Sequence, residues 1–400
     1  MRHDYDVIVV GARVAGASTA MLLARSGHRV LLIDRSEMPA DTISTHAILR
    51  SGVLQLTRWG LVDRIREAGT PPVRDLVLGF GEERIAFRLA NDFGVEELYA
   101  PRRYLLDSIL IEAAVDGGVE FMSATRMTGL QTDHEGRVTG VDVSRAGSSS
   151  TVRARIVIGA DGVWSRVAEI VGAPTSRSHP PTNAVHYAYY SGLDSPGWWF
   201  QFTPGVNAGL ITTNDGAVCV FVGRPRRLMP RFKENPEQEF LRLLRMAGAD
   251  LAERAEAGTR ISPFRGTPGL PGFLRRPFGP GWALVGDAGY TKDPISAHGI
   301  SDALRDAELC ARAVDRSLRH PAEELEAMQG YQQVRDRLSH RMFDESDALA
   351  RFEWDPEEAS RRMRGISEAV RIECDAIVAL PDWPGVITSG DRVSTGSSLL

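Results

Sequence analysis

The chain has 400 residues, 43% of them apolar and 25% charged, and a formal charge of −5. That length buries a large core in two or three domains, and the charge balance supplies neither the basic stripe that nucleic acid needs nor an acidic patch for a cationic partner. Cys219, Cys310 and Cys374 are far apart, odd in number and without metal or redox spacing, which implies reduced thiols, a cytoplasmic protein and no metal centre.

In chain order, the apolar run 7–24 imitates a signal peptide, but Asp4, Asp6 and Arg13 break that pattern, so neither an export segment nor a membrane span is expected. Instead "YDVIVVGARVAGASTAMLLARSGHRVLLID" predicts a strand over 5–10, a glycine-rich turn, a helix over 14–25 stopped by Gly27, and a strand over 29–34: a βαβ unit. A helix follows near "AILRSGVLQLTRWGLVDRI", and Gly79, Gly81 and Gly94 break residues 76–99 into short strands. The next helix covers 103–115 and ends at Gly117 and Gly118; strands follow over 119–121 and 138–143, with Ser148, Ser149 and Ser150 in an exposed hairpin turn. Beyond "RARIVIGADG" the composition turns aromatic and β-forming, from "AVHYAYYSGL" to "GAVCVFVGRP", which predicts a separate antiparallel sheet. A proline- and glycine-rich stretch, 262–281, reads as a linker back to "WALVGDAG". Ile300, Ala303, Leu304, Ala307, Ala311, Val314 and Leu318 recur three or four apart, as one face of a helix does. Beyond 320 the chain is charged and helical, and "VITSGDRVSTGSSLL" reads as a loose tail.

A glycine-rich turn between strand and helix brings backbone N–H groups and the helix dipole against a pyrophosphate, while an acid ending the next strand binds a ribose hydroxyl. Gly11, Gly16 and Asp34 hold those places, with Arg13 where the middle glycine of the pattern belongs. On its own the segment also fits a βαβ turn with no ligand. "VIGADGVWSRVAEIVG" adds a buried strand leading to Asp161-Gly162 with Ser165 near a helix start, and "WALVGDAG" adds another leading to Gly286-Asp287.

These three motifs, with "RYLLD" from Arg103, resemble the FAD-dependent monooxygenase superfamily of the para-hydroxybenzoate hydroxylase type, related to the geranylgeranyl reductase-like flavoproteins, over residues 5–315. The resemblance implies an α/β fold: a Rossmann-like FAD-binding domain with an inserted antiparallel β-sheet substrate domain and a helical C-terminal segment. The FAD-binding parts would be 1–75, 100–175 and 277–320, the substrate-domain parts 76–99 and 176–276, and the C-terminal helical segment and tail 321–400. FAD would be held by Gly11, Arg13, Gly16, Asp34, Arg35, Arg103, Asp161, Gly162, Gly286 and Asp287, with Asp34 at the adenosine ribose, Arg103 at the flavin or its phosphates and Asp287 at the ribityl chain. The flavin ring would lie beside the loop after "GD". There Pro294 fixes a bend, and Ala297, His298, Gly299 and Ile300 present a helix N-terminus to the charge that reduction places near N1 and O2. "GDAGY" replaces the commoner "GDAAH", so Tyr290 inherits no role from that histidine.

The catalytic candidates are His46 in "DTISTHAILR", Pro294 and His298; His46 either moves a proton near neutral pH or is a structural histidine at a helix entrance, with Ser44 and Thr45 as caps. Tyr187, Tyr189, Trp198, Phe200 and Phe202 alternate as strand residues do, and either roof an apolar substrate or pack as core. The leading reaction implied is a monooxygenation in secondary metabolism. NAD(P)H reduces the flavin, O2 adds at C4a, and one oxygen passes to an aromatic or olefinic small molecule. No second strand-linked glycine turn follows Asp34, so NAD(P)H would visit only transiently. A reductase of an isoprenoid-like molecule stands as the alternative, although "DTISTHAILR" lacks the cysteine-glycine segment of geranylgeranyl reductases, and a flavin-binding protein without turnover is a third reading.

Overall fold

The structure is a computed structural model that describes residues 4–228, 232 and 234–384; the tail expected over 386–400 lies outside the described residues. Strand Tyr5–Val10, whose last four residues are buried and apolar, occupies the middle of a largely parallel sheet. It pairs with Val30–Ile33 on one side, Val7 opposite Val30, and with Ser148–Gly159 on the other, Val7 opposite Ile156. Glu120–Met122 and Trp282–Leu284 extend the sheet in parallel at either side. The consequence is functional: Gly11, Asp34, Asp161 and Gly286 all leave the carboxyl ends of adjacent parallel strands, where open α/β sheets bind ligands.

Helix Val14–Arg25 is buried along almost its whole length because it lies between helices Arg103–Asp116 and Gly299–Arg319. A second, mostly antiparallel sheet runs in the order Thr259–Arg260, Asn183–Ser191, Val218–Pro225, Val206–Thr212, Trp198–Thr203, Asp75–Phe80, Glu83–Arg88. Its two faces have different partners. Tyr187, Tyr189, Trp198, Ile211 and Cys219 join the main core, whereas Tyr190, Trp199, Leu210 and Val220 pack under helices Pro236–Ala247 and Ala249–Ala257. The C-terminal part is helical, with Glu324–Ala350 followed by Pro356–Val378, whose start is set by Asp355 accepting the Glu358 N–H at 2.8 Å ahead of Pro356. The observed fold class is therefore the expected one.

Local expectations fail where tertiary pairing overrides pattern. The helix expected near 47–65 is two, Arg50–Arg58 and Val62–Glu67, separated at Gly60, whose φ of +74° no helix accommodates. The serines at 148–150 begin a strand, and the turn before them is Ala146-Gly147, both at positive φ. The expected linker 262–281 contains strands Arg265–Thr267 and Gly272–Arg275; the latter pairs with Thr175–His179 and Tyr290–Thr291, segments too short to leave a periodic signal.

Candidate active site

The glycine turn is shaped for close backbone approach. A Cβ on Gly11, which sits at φ +105°, would lie 2.4 Å from the Ala160 carbonyl oxygen, and one on Gly16 would lie 1.8 Å from that of Gly11. Strand, turn and helix are thus in backbone contact, leaving the helix N-terminus bare for an anion. The Asp34 carboxylate accepts the Ala12 and Ser36 N–H groups, each at 2.8 Å, which fixes it at the strand end with lone pairs left for hydroxyl donors. Arg35 is exposed and makes no side-chain hydrogen bond or ion pair among the described residues.

Arg13 and Arg103 are placed differently from expectation. Arg13 Nη1 donates to Asp107 at 2.7 Å and to the Ala40 carbonyl at 3.2 Å, and Arg103 Nη2 donates to the other Asp107 oxygen at 3.0 Å. Asp107 is fully buried; burial raises its pKa against the pull of the two guanidinium groups. The two arginines therefore share the Asp107 carboxylate. Asp161 is likewise engaged in structure: it accepts the Ser165 hydroxyl at 2.5 Å and the Arg166 N–H at 2.7 Å, capping the short helix Arg166–Ile170. Gly162 beside it makes the turn at φ +82°.

At the other end, Gly286 takes φ +57°, and a Cβ there would meet the Ala15 Cβ at 2.7 Å, so the "GD" turn abuts the first helix. Asp287 is exposed yet set deep among other groups: burial pushes its carboxyl up to about 6, with Lys292 pulling it down. Asp293 then caps the turn Pro294–Ser296 through the Ile295 N–H at 3.0 Å, and Ala297 sits in the left-handed region at φ +52°. Pro294 is exposed and has no proton to move, so its contribution is the bend. Exposed Gly299 and buried Ile300 open the helix Gly299–Arg319, whose N-terminus has no side-chain cap.

His298 departs most from expectation. It is fully buried, and its Nε2 lies 2.7 Å from Glu373 on the last helix, within the C-terminal packing. His298, Asp302 and Glu373 have the spacing of a metal trio, but Lys292 and Arg305 hold Asp302 and His298 holds Glu373, so they read as a buried ion network. Tyr290 also points away, its hydroxyl 3.4 Å from the Ser339 carbonyl.

His46 is fully buried at φ +68° and its Nε2 is hydrogen-bonded to the Tyr189 hydroxyl, while Nδ1 has no partner among the described residues. Burial pulls its pKa down to about 3, with Asp41 opposing, so a histidine that titrates near neutrality is not what is found. Tyr189 is pushed well above the usual tyrosine value by burial. Arg102 lies 4.0 Å over the Tyr189 ring and is anchored to Asp41 at 2.7 Å. Arg102 and Asp41 were not legible as site residues; their only signal is charge beside two motifs. Ser44 Oγ accepts the His46 N–H at 2.9 Å and caps no helix, since the helix begins at Arg50. Tyr187 reaches the Ser44 N–H at 3.4 Å, so Tyr187 and Tyr189 do face the "DTISTHAILR" segment. Trp198 is fully buried in the core, and Phe200 is half-buried between Trp198 and Phe221. Phe202 packs on Phe80 and Trp354 in a separate cluster.

Residues 4–200 match the family of FAD binding domains. Digeranylgeranylglycerophospholipid reductase 1 of Methanococcoides burtonii is 29% identical over 326 residues, 78% of this chain and 75% of its own length. Menaquinone reductase of Mycolicibacterium smegmatis is 28% identical over 339 residues, 78% and 76% respectively. Among solved structures, PqsL of Pseudomonas aeruginosa, a probable FAD-dependent monooxygenase, shares the fold with a TM-score of 0.79 at 24% identity, over 92% of this chain and 100% of that one. The glycine cradle that any Cβ would fill, and the carboxylates at both ends, fit FAD.

Proposed function

We propose that this chain, an FAD-dependent oxidoreductase whose residues 4–200 match FAD binding domains, is a monooxygenase that places one oxygen atom of O2 on an apolar aromatic or olefinic small molecule, with NAD(P)H as reductant. FAD, when bound, supplies the electron transfer and the oxygen activation. The chain supplies position, charge and dryness. Gly11 and Gly16 would admit the pyrophosphate, Asp34 and Asp287 would accept hydroxyls at the two ends, and the N–H groups at Gly299 and Ile300 would face the pyrimidine edge. Tyr187 and Tyr189 back the substrate site from the main core, where both are buried.

The observation that carries the choice is the buried, uncharged pair of His46 and Tyr189. Olefin reduction by hydride asks for a nearby acid that gives a proton to the second carbon. His46, with its pKa near 3, is not a cation at neutral pH, and Tyr189 holds its proton more tightly than a free tyrosine. Oxygen transfer asks instead for a dry, hydrogen-bonding, neutral surface. With Tyr189 donating to Nε2, the imidazole proton sits on Nδ1, which is buried and free to donate. The second reading, a reductase, is favoured by the names of the two relatives above.

Anaerobic stopped-flow absorbance tests the reductant directly. NADH or NADPH should reduce the bound flavin, and faster when a true substrate is present. If neither does so with substrate bound, while a separate flavin reductase does, the single-component reading fails.

A further inference from the structure

Among 47 basic residues only Lys233 and Lys292 are lysines, so an ammonium at 292 stands against a chain that uses guanidinium nearly everywhere else. Lys292 is 6% exposed and lies between the Gly286-Asp287 turn and the helix Gly299–Arg319. Its Nζ bonds one oxygen of Asp302, a buried residue in the first turn of that helix, and Arg305 donates to the other oxygen at 3.0 Å. Burial alone would push the Asp302 carboxyl up, but Lys292, His298 and Arg305 outweigh it and hold the group below the usual range, so it stays ionised. Of the charged groups around Asp287, Lys292 acts most strongly and Asp302 next. The pair therefore sits at the helix N-terminus, in the turn that Gly299 and Ile300 open.

A carboxylate in a first helical turn suits the helix dipole but opposes a second anion at the same N-terminus. Reduction adds such charge to a flavin. We propose that Lys292 is a positioning residue for the cofactor's charge: by cancelling Asp302 it leaves the N–H groups of Gly299 and Ile300 a net positive face toward the pyrimidine end of FAD, and so raises the flavin's midpoint potential. A compact ammonium suits this place because it occupies a single carboxylate oxygen while Arg305 keeps the other and reaches on to Asp306 at 2.7 Å. The inference rests on the placement of the flavin at Gly299 and Ile300 given under Proposed function.

The test uses the FAD-loaded full chain carrying Lys292→Met, Asp302→Asn or both. It reads the two-electron midpoint potential and the affinity for sulfite, a probe whose adduct with the flavin also carries negative charge. Lys292→Met should lower the potential by about 30 mV or more, the equivalent of a tenfold change in a two-electron equilibrium, and weaken sulfite binding about tenfold. Asp302→Asn should move both readings the opposite way, and the double variant should return to wild type. An unmoved potential in Lys292→Met, or a double variant no closer to wild type, overturns the assignment. Should Lys292→Met fail to load FAD, the other two variants decide: Asp302→Asn must lie above wild type and the double variant at it. Asp287→Asn is run alongside. Unaltered FAD affinity there refutes the placement of the cofactor, whereas weakened affinity with an unmoved Lys292→Met potential refutes only the role of Lys292.

Discussion

FAD affinity should fall in acid, and Asp287 is the reason. Burial pushes the Asp287 carboxyl up to about 6, with Lys292 pulling down and Asp302 pushing up. In the proposed placement a ribityl hydroxyl donates to the ionised form, so the proton and the cofactor compete: binding is favoured above about pH 6 and lost as pH falls through that value. With a pKa of about 6 the ionised fraction at pH 5 is roughly one in eleven, so affinity drops by up to about tenfold between pH 7 and pH 5. The side chain is exposed to solvent, which screens it and makes that figure an upper bound. Asp287→Asn removes both the charged acceptor and the proton competition. It should weaken FAD at pH 7 by roughly 1.5–3 kcal/mol, the worth of a hydrogen bond to a charged group, and flatten the pH dependence. Titrating apo-protein with FAD and following the quenching of flavin fluorescence at pH 5, 6, 7 and 8 reads both effects. A wild-type affinity that is flat over this range, or a slope that survives in Asp287→Asn, would refute the reasoning.

Three further outcomes follow from the geometry. Gly16→Ala should abolish FAD loading, because its Cβ would lie 1.8 Å from the Gly11 carbonyl oxygen; a yellow protein with a full complement of FAD contradicts the tight turn. Tyr189→Phe removes the hydrogen-bond partner of the buried His46 ring, which has no other among the described residues, and should destabilise the fold by roughly 1–3 kcal/mol in urea unfolding, whereas a change within about 0.5 kcal/mol would mean the bond is not formed. Asp293 is fully buried and pushed up to about 7 by burial, so the native state keeps a proton that the unfolded chain releases near pH 4. Its contribution to stability therefore falls as pH rises from about 4 to 7, by at most about 1.4 kcal/mol per unit, and Asp293→Asn should gain on wild type over that span; parallel unfolding curves at pH 5 and pH 8 would contradict this.

The frame of the molecule was open to reading because its signals are local. The helix over 14–25 and the apolar face from Ile300 to Leu318 are periodic within themselves, and each residue named on that face is buried. The glycines are legible for the same reason: a positive φ or a backbone contact excludes other residues wherever the partner lies. What escaped reading depends on partners far along the chain. Arg13 is held by Asp107, 94 residues on, and His298 by Glu373, 75 residues on. His46 and Tyr189 are 143 residues apart, and burial alone removes the histidine from neutral titration. Asp161 carries two readings for a subtler reason. An aspartate before a glycine turn and a helix serves as a ligand or as a cap, and here the cap bonds to Ser165 and Arg166 are made. Phe202 shares strand parity with Trp198 and Phe200, but parity names a face and not what covers it; helix Pro356–Val378 and Trp354 cover that end.

The measurement closest to the central claim is the mass of the product formed under ¹⁸O2 when the FAD-loaded protein turns over NAD(P)H with an aromatic or olefinic substrate. One atom of the label is expected in the product, with the second leaving as water. A product that carries no label and has gained two hydrogens would contradict it and make the protein a reductase.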